Sequence, residues 1–483
     1  MPDQPAVPTS TQYPTTQKLG LLTMTAMVVG GMVGAGVFSL PARFGQETGV
    51  AGALIAWAIA GTGMLMLAFV FQILAIRKPE LDSGVYAYAK SGFGEYLGFF
   101  SAFGYWASSC VGNVTYWVLI MSTLSALFPE LGDGNTVLAI ALSTVGIWAF
   151  YWLIKRGTKD AAALNQIVTV AKVVPILVFI VLALFYLDVG VFMDNWSGEN
   201  YDSLFEQVKG TMLVTVFVFI GVEGASVYSR HAKRREDVGR ATVLGFLMVF
   251  SIFASVTVVS YGILPAEEMA ELRQPSMAGV LEAAVGDWGK AFISIGLIVS
   301  VLGAYLAWTL MAAEVLFVAA EDDDMPRFLK SISDVDVPVP ALLMTTALIQ
   351  VMLVVTAFSD DAFNLALNLT SALTLIPYLL AAAYALKLAI TRETYDASPA
   401  GWRRELTIAF IATAYTAFLL WAAGPKYLLV SMIIYAPASL LFVKARSEQG
   451  RRWFDARELL ILAFSVITAA IGIVALATGR ISL

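Results

Sequence analysis

Apolar residues in this chain run in long blocks instead of alternating. Thirteen such blocks recur with short polar gaps between them: 20–41, 51–76, 97–127, 136–154, 164–187, 208–229, 241–263, 290–320, 341–358, 363–389, 405–423, 427–443 and 458–478. A helix needs about 20 mostly apolar residues to cross a bilayer. The pattern therefore predicts an all-α polytopic membrane protein with 12–13 transmembrane helices. The twelfth run is short and follows a Gly424-Pro425 turn. The thirteenth is also compatible with an interfacial position, which makes twelve the fallback count. Residues Met1 to Gln17 are rich in Pro, Thr and Gln and hold no Lys or Arg. They lack the basic start of a signal peptide and are expected to form a mobile cytoplasmic tail over 1–18, with the first apolar run kept as a span.

The polar gaps carry a second pattern. With the N-terminus cytoplasmic, the cytoplasmic segments hold 23 basic residues and the outer segments 6; the thirtieth, Lys172, falls within a span. This strict alternation follows the positive-inside rule and predicts an inner-membrane protein with a cytoplasmic N-terminus. Composition agrees: 59% hydrophobic and 14% charged over 483 residues, against about 45–50% and 25% in soluble domains. A net charge of −6 gives no basic footprint for nucleic acid. One cysteine, Cys110, and one histidine, His231, speak against a disulfide framework, a His/Cys metal site or a Ser-His-Asp triad.

A repeat is hidden in the blocks. The nine residues Gly31–Ser39 in the first run and Gly221–Ser229 in the sixth agree at five positions. An offset of five spans inverts the second copy across the membrane. Glycine is a poor interior helix residue, so clusters at mid-membrane suggest unwound backbone, tolerated only where it lines a cavity. Close helix packing is the plainer explanation of one such cluster. Two at inverted positions favour a substrate site made by discontinuous helices, whose free N–H groups attract anions.

Few ionisable groups lie at depth. Glu223, inside the second glycine motif, is a candidate to attract a cation, carry a proton or gate the site, with a satisfied helix–helix hydrogen bond as the alternative. Lys172, in the fifth run, suits a structural or coupling role beside the broken first helix. Glu314, in the eighth, is either structural or substrate-linked and is a candidate to neutralise Lys172. Asn113 shares a helix face with Ser109 and Tyr116, a pattern that also serves as packing glue. Phe217 and Trp308 taken alone would be packing. The acidic run Glu321 to Asp324 reads as a solvated loop, and His231 as part of a basic cytoplasmic segment.

The motifs GAGVFSLP (Gly34–Pro41), RKPELDSGVYAYAKSGFGEYLGF (Arg77–Phe99), FIGVEGAS (Phe219–Ser226) and WTLMAAE followed by DDDMPRFL (within Trp308–Leu329) resemble the amino acid–polyamine–organocation superfamily. Within it the chain is most similar to bacterial basic amino acid/polyamine antiporters of the arginine–ornithine type. The resemblance implies a five-plus-five inverted repeat in a transporter core over 19–390, with C-terminal spans over 391–483. It implies that unwound backbone at Val29, Gly30, Gly34 and Ile220 meets the substrate's carboxylate and amino groups. Asn113, Trp308 and Ser371 match family binding positions, Glu223 a gating or sensing acid, and Lys172 a lysine that replaces sodium. Phe217 stands where relatives carry a stacking Trp, which weakens cation–π contact. Val29 replaces a small polar residue, so a side-chain bond to the carboxylate is not expected there.

These readings converge on a transporter, not an enzyme: exchange of arginine for ornithine by alternating access, with no ATP and no cofactor. The expected partners are basic amino acids and the lipid bilayer, with a homodimer left open. The rivals are a proton-coupled symporter or uniporter, an intramembrane protease, whose motifs are missing, and a channel, for which no repeated filter motif appears.

Overall fold

A computed structural model describes residues 20–81, 85–157, 161–198, 201–223, 233, 235–395 and 400–482. The tail over 1–18, the second half of the sixth-run motif (224–229) and His231 lie outside the described residues. Every regular element within them is helical. Among the described residues, nine helices are long and apolar enough to cross a membrane, or ten if the pair Leu21–Met32 and Gly36–Gly45, bent by 45°, counts as one span. The third, fifth and sixth apolar runs form helices Glu95–Leu124, Ala161–Phe185 and Leu204–Phe219. The outward faces are apolar: Leu460, Ile467 and Val474 on the last helix are exposed, as lipid contact requires.

In chain order the helices are α1 (Leu21–Met32), α2 (Leu40–Gly45), α3 (Val50–Arg77), α4 (Val85–Phe93), α5 (Glu95–Leu124), α6 (Val137–Lys155), α7 (Ala161–Phe185), α8 (Val189–Asp194) and α9 (Leu204–Phe219). They continue as α10 (Arg235–Ser260), α11 (Ala266–Glu271), α12 (Ser276–Val285), α13 (Asp287–Glu321), α14 (Val339–Thr356), α15 (Ala362–Thr391), α16 (Trp402–Ala422), α17 (Gly424–Glu448) and α18 (Ala456–Ala477). The first span packs on the seventh (α1 on α10), and the sixth on the second (α9 on α3). These two contacts exchange under a five-span shift. The third–eighth contact, α5 on α13, maps onto itself. The packing therefore has the symmetry that an inverted repeat demands.

Three features refine the sequence reading. First, α4 is a helix inside the stretch read as a connection; it packs on α5 and α15, and Gly94 (φ 98°) makes the turn into α5. Second, the twelfth span is not short. α17 starts at the Gly424-Pro425 turn itself and runs 25 residues, because proline is well accommodated in a first helical turn. α18, with 22 residues and a capping box at Asp455, is long enough to cross. Third, the acidic run is not wholly solvated. Asp324 is buried and pairs with Lys90 of α4 at 2.7 Å, while the Tyr86 hydroxyl donates to Asp322 at 2.6 Å. Part of that run therefore docks α4 onto the end of α13.

Charged contacts mark the two ends of the bundle. Arg77–Glu405, Lys78–Glu393 and Arg446–Glu458 gather at the end where α4 and Asp324 meet. Lys209–Glu206 and Arg273–Asp133 lie at the other. The first end holds basic residues that the charge alternation assigns to the cytoplasm.

Candidate functional site

Both glycine motifs break their helices, and the breaks touch. α1 stops at Met32, and Val33 leaves helical geometry at φ −75° and ψ 98°. α9 stops at Phe219; Ile220 is extended (ψ 131°) and Gly221 adopts φ 104°, a conformation that favours glycine. A Cβ on Gly221 would lie 3.1 Å from the Gly31 carbonyl carbon, and one on Gly36 would lie 2.6 Å from Val218. Only small residues allow this approach.

Unwound backbone inside a membrane protein must find partners, and three side chains supply them. Lys172, 2% exposed, donates to the Gly30 carbonyl at 3.0 Å. Ser276 of α12 accepts from the Ala42 N–H at 3.1 Å and reaches the Phe38 carbonyl at 3.3 Å. Glu223 accepts from the Gly221 N–H at 3.1 Å. Lys172 thus binds a carbonyl of the broken first span. It does not pair with Glu314, which is exposed on α13 and makes no ion pair among the described residues. The proposed neutralisation is replaced by an ammonium–carbonyl bond.

A cavity of about 30 Å³ lies between the breaks. Gly34, Ser109, Phe217, Ile220 and Trp308, all singled out from sequence, line it, together with Tyr116 and Thr370. Its size suits a water or two, so the cavity is collapsed. Val29, Gly30, Asn113, Glu223 and Ser371 do not line it. Asn113 turns instead to α13 and donates to the Thr309 hydroxyl at 3.1 Å. The Ser371 hydroxyl lies 2.8 Å from the Leu213 carbonyl of α9 and 3.0 Å from the Leu367 carbonyl, leaving its neighbour Thr370 to face the cavity.

Glu223 lies beyond the cavity, 1% exposed. Oε1 accepts a short hydrogen bond from the Tyr105 hydroxyl, and Oε2 accepts from the Tyr378 hydroxyl at 2.6 Å. α5 and α15 thus each supply a donor, which is the hydrogen-bonded alternative for this residue, and the acid clamps both helices to the broken sixth span. The two tyrosines were missed because tyrosine is common in spans, and only the fold brings residues 105, 223 and 378 together.

At the opposite end of the bundle a vestibule of about 550 Å³ opens among Arg43, Glu47, Lys209, Asp361, Asn364 and Asn368. Along α15 the vestibule residue Asn368, the cavity residue Thr370 and the clamp residue Tyr378 follow in order. Along α9 the order is Leu213, Phe217, then Glu223 just past the helix end. Vestibule, cavity and clamp are therefore stacked on one axis, open at one end and pinned at the other.

A family model described as amino acid permease matches residues 19–426. The chain belongs to the amino acid permease family. Curated relatives extend over nearly its whole length. It is 48% identical to the arginine/ornithine antiporter of Pseudomonas aeruginosa, across 97% of this chain and 99% of the relative. It is 39% identical to an L-lysine transport protein of Corynebacterium glutamicum, across 97% of each chain. It is 36% identical to the arginine/ornithine antiporter of Latilactobacillus sakei, across 96% and 98%. The family is one of transporters, in keeping with the bent first span and apolar exterior of this permease.

Proposed function

We propose that this permease exchanges arginine for ornithine across the bacterial plasma membrane by alternating access, with its N-terminus in the cytoplasm. The observation that carries this reading is the stacked pathway: an open vestibule, a small cavity between two helix breaks, and a carboxylate clamp that seals the far side. In it, residues 19–390 form the transporting core and 391–483 a flanking set of spans. The unwound backbone at Gly34 and Ile220 offers N–H groups to the substrate carboxylate. Ser109, Thr370 and Tyr116 offer hydroxyls, and Phe217 and Trp308 offer ring faces to the guanidinium. Val29, Gly30, Asn113 and Ser371 shape the site from behind its walls. Lys172 holds the first break open where a metal ion would otherwise be needed.

Glu223 acts as a gate. Its release from Tyr105 and Tyr378 frees α5 and α15 from the sixth span and opens the sealed side. A buried carboxylate losing two donors is costly unless something replaces them, and an arriving cationic substrate supplies the compensation. This makes movement of the empty carrier slow and exchange obligatory.

The test is counterflow in proteoliposomes. Labelled arginine should enter only when ornithine or arginine is inside, and Glu223→Ala should abolish exchange. Uptake into empty vesicles under a pH gradient would replace exchange with proton-coupled symport. Similarity to a lysine transport protein favours lysine as a further substrate. Competition by arginine, ornithine, lysine, agmatine and putrescine ranks them.

A further inference from the structure

The vestibule holds polar groups that its own walls leave unsatisfied. Arg43 is 6% exposed; its Nη1 donates to the Gln46 side chain at 2.9 Å, but the buried Nε has no hydrogen-bond partner among the described residues. Asn368, 7% exposed, spends its amide N–H on the Tyr427 hydroxyl at 2.9 Å and leaves Oδ1 without a partner. The Oδ1 of Asn364 is likewise unpartnered. The Glu47 carboxylate lies against Gly210, half-buried. Buried polar atoms are nearly always paired, so three orphans around one opening of about 550 Å³ point to a ligand.

The polar groups around the vestibule are of two kinds. Arg43 is a cationic donor suited to a carboxylate. Glu47 and the two amide oxygens are acceptors suited to ammonium or guanidinium groups. We propose that the vestibule is a first binding site for a zwitterionic amino acid with a cationic side chain. Arg43 takes the α-carboxylate; Glu47 and Asn368 take the positive groups. The site rests on the exchange reading above and adds a station to it. Asn368 and Thr370 are two residues apart on α15, and Leu213 and Phe217 four apart on α9. At 1.5 Å per residue, the step from vestibule to cavity is about one helical turn.

The experiment measures uptake of labelled arginine into right-side-out vesicles preloaded with ornithine, over a range of outside concentrations. Arg43→Gln is expected to raise the outside KM for arginine about tenfold, the scale of one lost charge-assisted hydrogen bond, with the maximal rate kept. Inhibition by agmatine, which lacks the carboxylate, should not change. Glu47→Gln, at a half-buried carboxylate, should weaken arginine and agmatine alike. Because Arg43 is buried and its loss can disturb packing, Glu47→Gln decides if Arg43→Gln does not fold. An unchanged KM in either folded variant overturns the site. So does an equal loss of arginine and agmatine affinity in Arg43→Gln. If wild-type vesicles do not exchange arginine at all, the exchange reading fails by itself. Calorimetric binding of arginine to purified wild-type and Glu47→Gln protein then decides the vestibule: equal affinity overturns it, and weaker binding by the variant supports it.

Discussion

Removing the Tyr378 hydroxyl tests the clamp directly. Tyr378→Phe keeps the ring, which packs edge-on against Phe71 with centroids 5.8 Å apart, and deletes only the donor to Glu223. A hydrogen bond to a charged group contributes about 2 kcal/mol, or about thirtyfold in an equilibrium constant at tenfold per 1.4 kcal/mol. If that bond exists only while the far side is sealed, its loss raises the population with the far side open by that factor. The reporter is a cysteine at Ser108, which is 1% exposed and lines the cavity, in a Cys110→Ser background that leaves no other thiol. A membrane-impermeant maleimide added to the cytoplasmic face of inside-out vesicles reaches this cysteine only through an open clamp. Its reaction rate therefore scales with the minor population. The expected result is a rise of about thirtyfold in Tyr378→Phe, a similar rise in Tyr105→Phe, and a non-additive rise in the double variant, since both hydroxyls serve one carboxylate. A rate within twofold of the parent in a folded Tyr378→Phe protein would refute the gating role. It would leave Glu223 as a structural hydrogen-bond acceptor.

Two further outcomes follow from single contacts. A Cβ on Gly34 would sit 2.9 Å from the Tyr116 hydroxyl oxygen but 3.6 Å from the ring carbon that bears it. Gly34→Ala should therefore cost about 1–3 kcal/mol of overpacking and lower the melting temperature, and adding Tyr116→Phe should recover that stability; failure of the second change to rescue would separate Gly34 from Tyr116. Burial pushes the Asp324 carboxyl up to about 6 from 3.8, even beside Lys90. With its folded pKa raised, this group contributes stability below about pH 4 that is lost as pH rises through 6, about 3 kcal/mol at 1.36 kcal/mol per unit. Asp324→Asn should flatten the fall of melting temperature between pH 4 and 7, and an unchanged slope would contradict this account.

The legible parts of this permease are those written in composition or in backbone chemistry. Bilayer crossing is encoded by run length, so the spanning helices fall where apolar blocks do; the helices missed, α4, α8, α11 and α12, are short pieces in the connections, and the tyrosines and Lys90 of α4 hide it in a polar stretch. The two helix breaks were visible because glycine's freedom at Gly221 and the close approach at Gly36 leave no other residue type. Lys172 was visible because an ammonium at depth must have an unusual partner, and the partner, the Gly30 carbonyl, was exposed by the break itself.

Side-chain partnerships were not legible, for a physical reason. Which of two adjacent helix positions faces a cavity depends on helix rotation, and one residue turns the face by about 100°. Ser371 and Thr370 differ by that step: the first reaches the Leu213 carbonyl and the second lines the cavity. Asn113 is similarly turned away towards Thr309, beside Gly112, which does face the cavity. Glu223 shows the larger consequence. Read alone, a carboxylate at mid-span suggests an open charge awaiting a cation. Placed between two tyrosines from α5 and α15, it is a satisfied contact that ties two helices to the broken sixth span. In the proposed exchange cycle this charge is a lock beside the binding site, and the unpartnered polar atoms lie at the other end of the pathway, around Arg43 and Asn368.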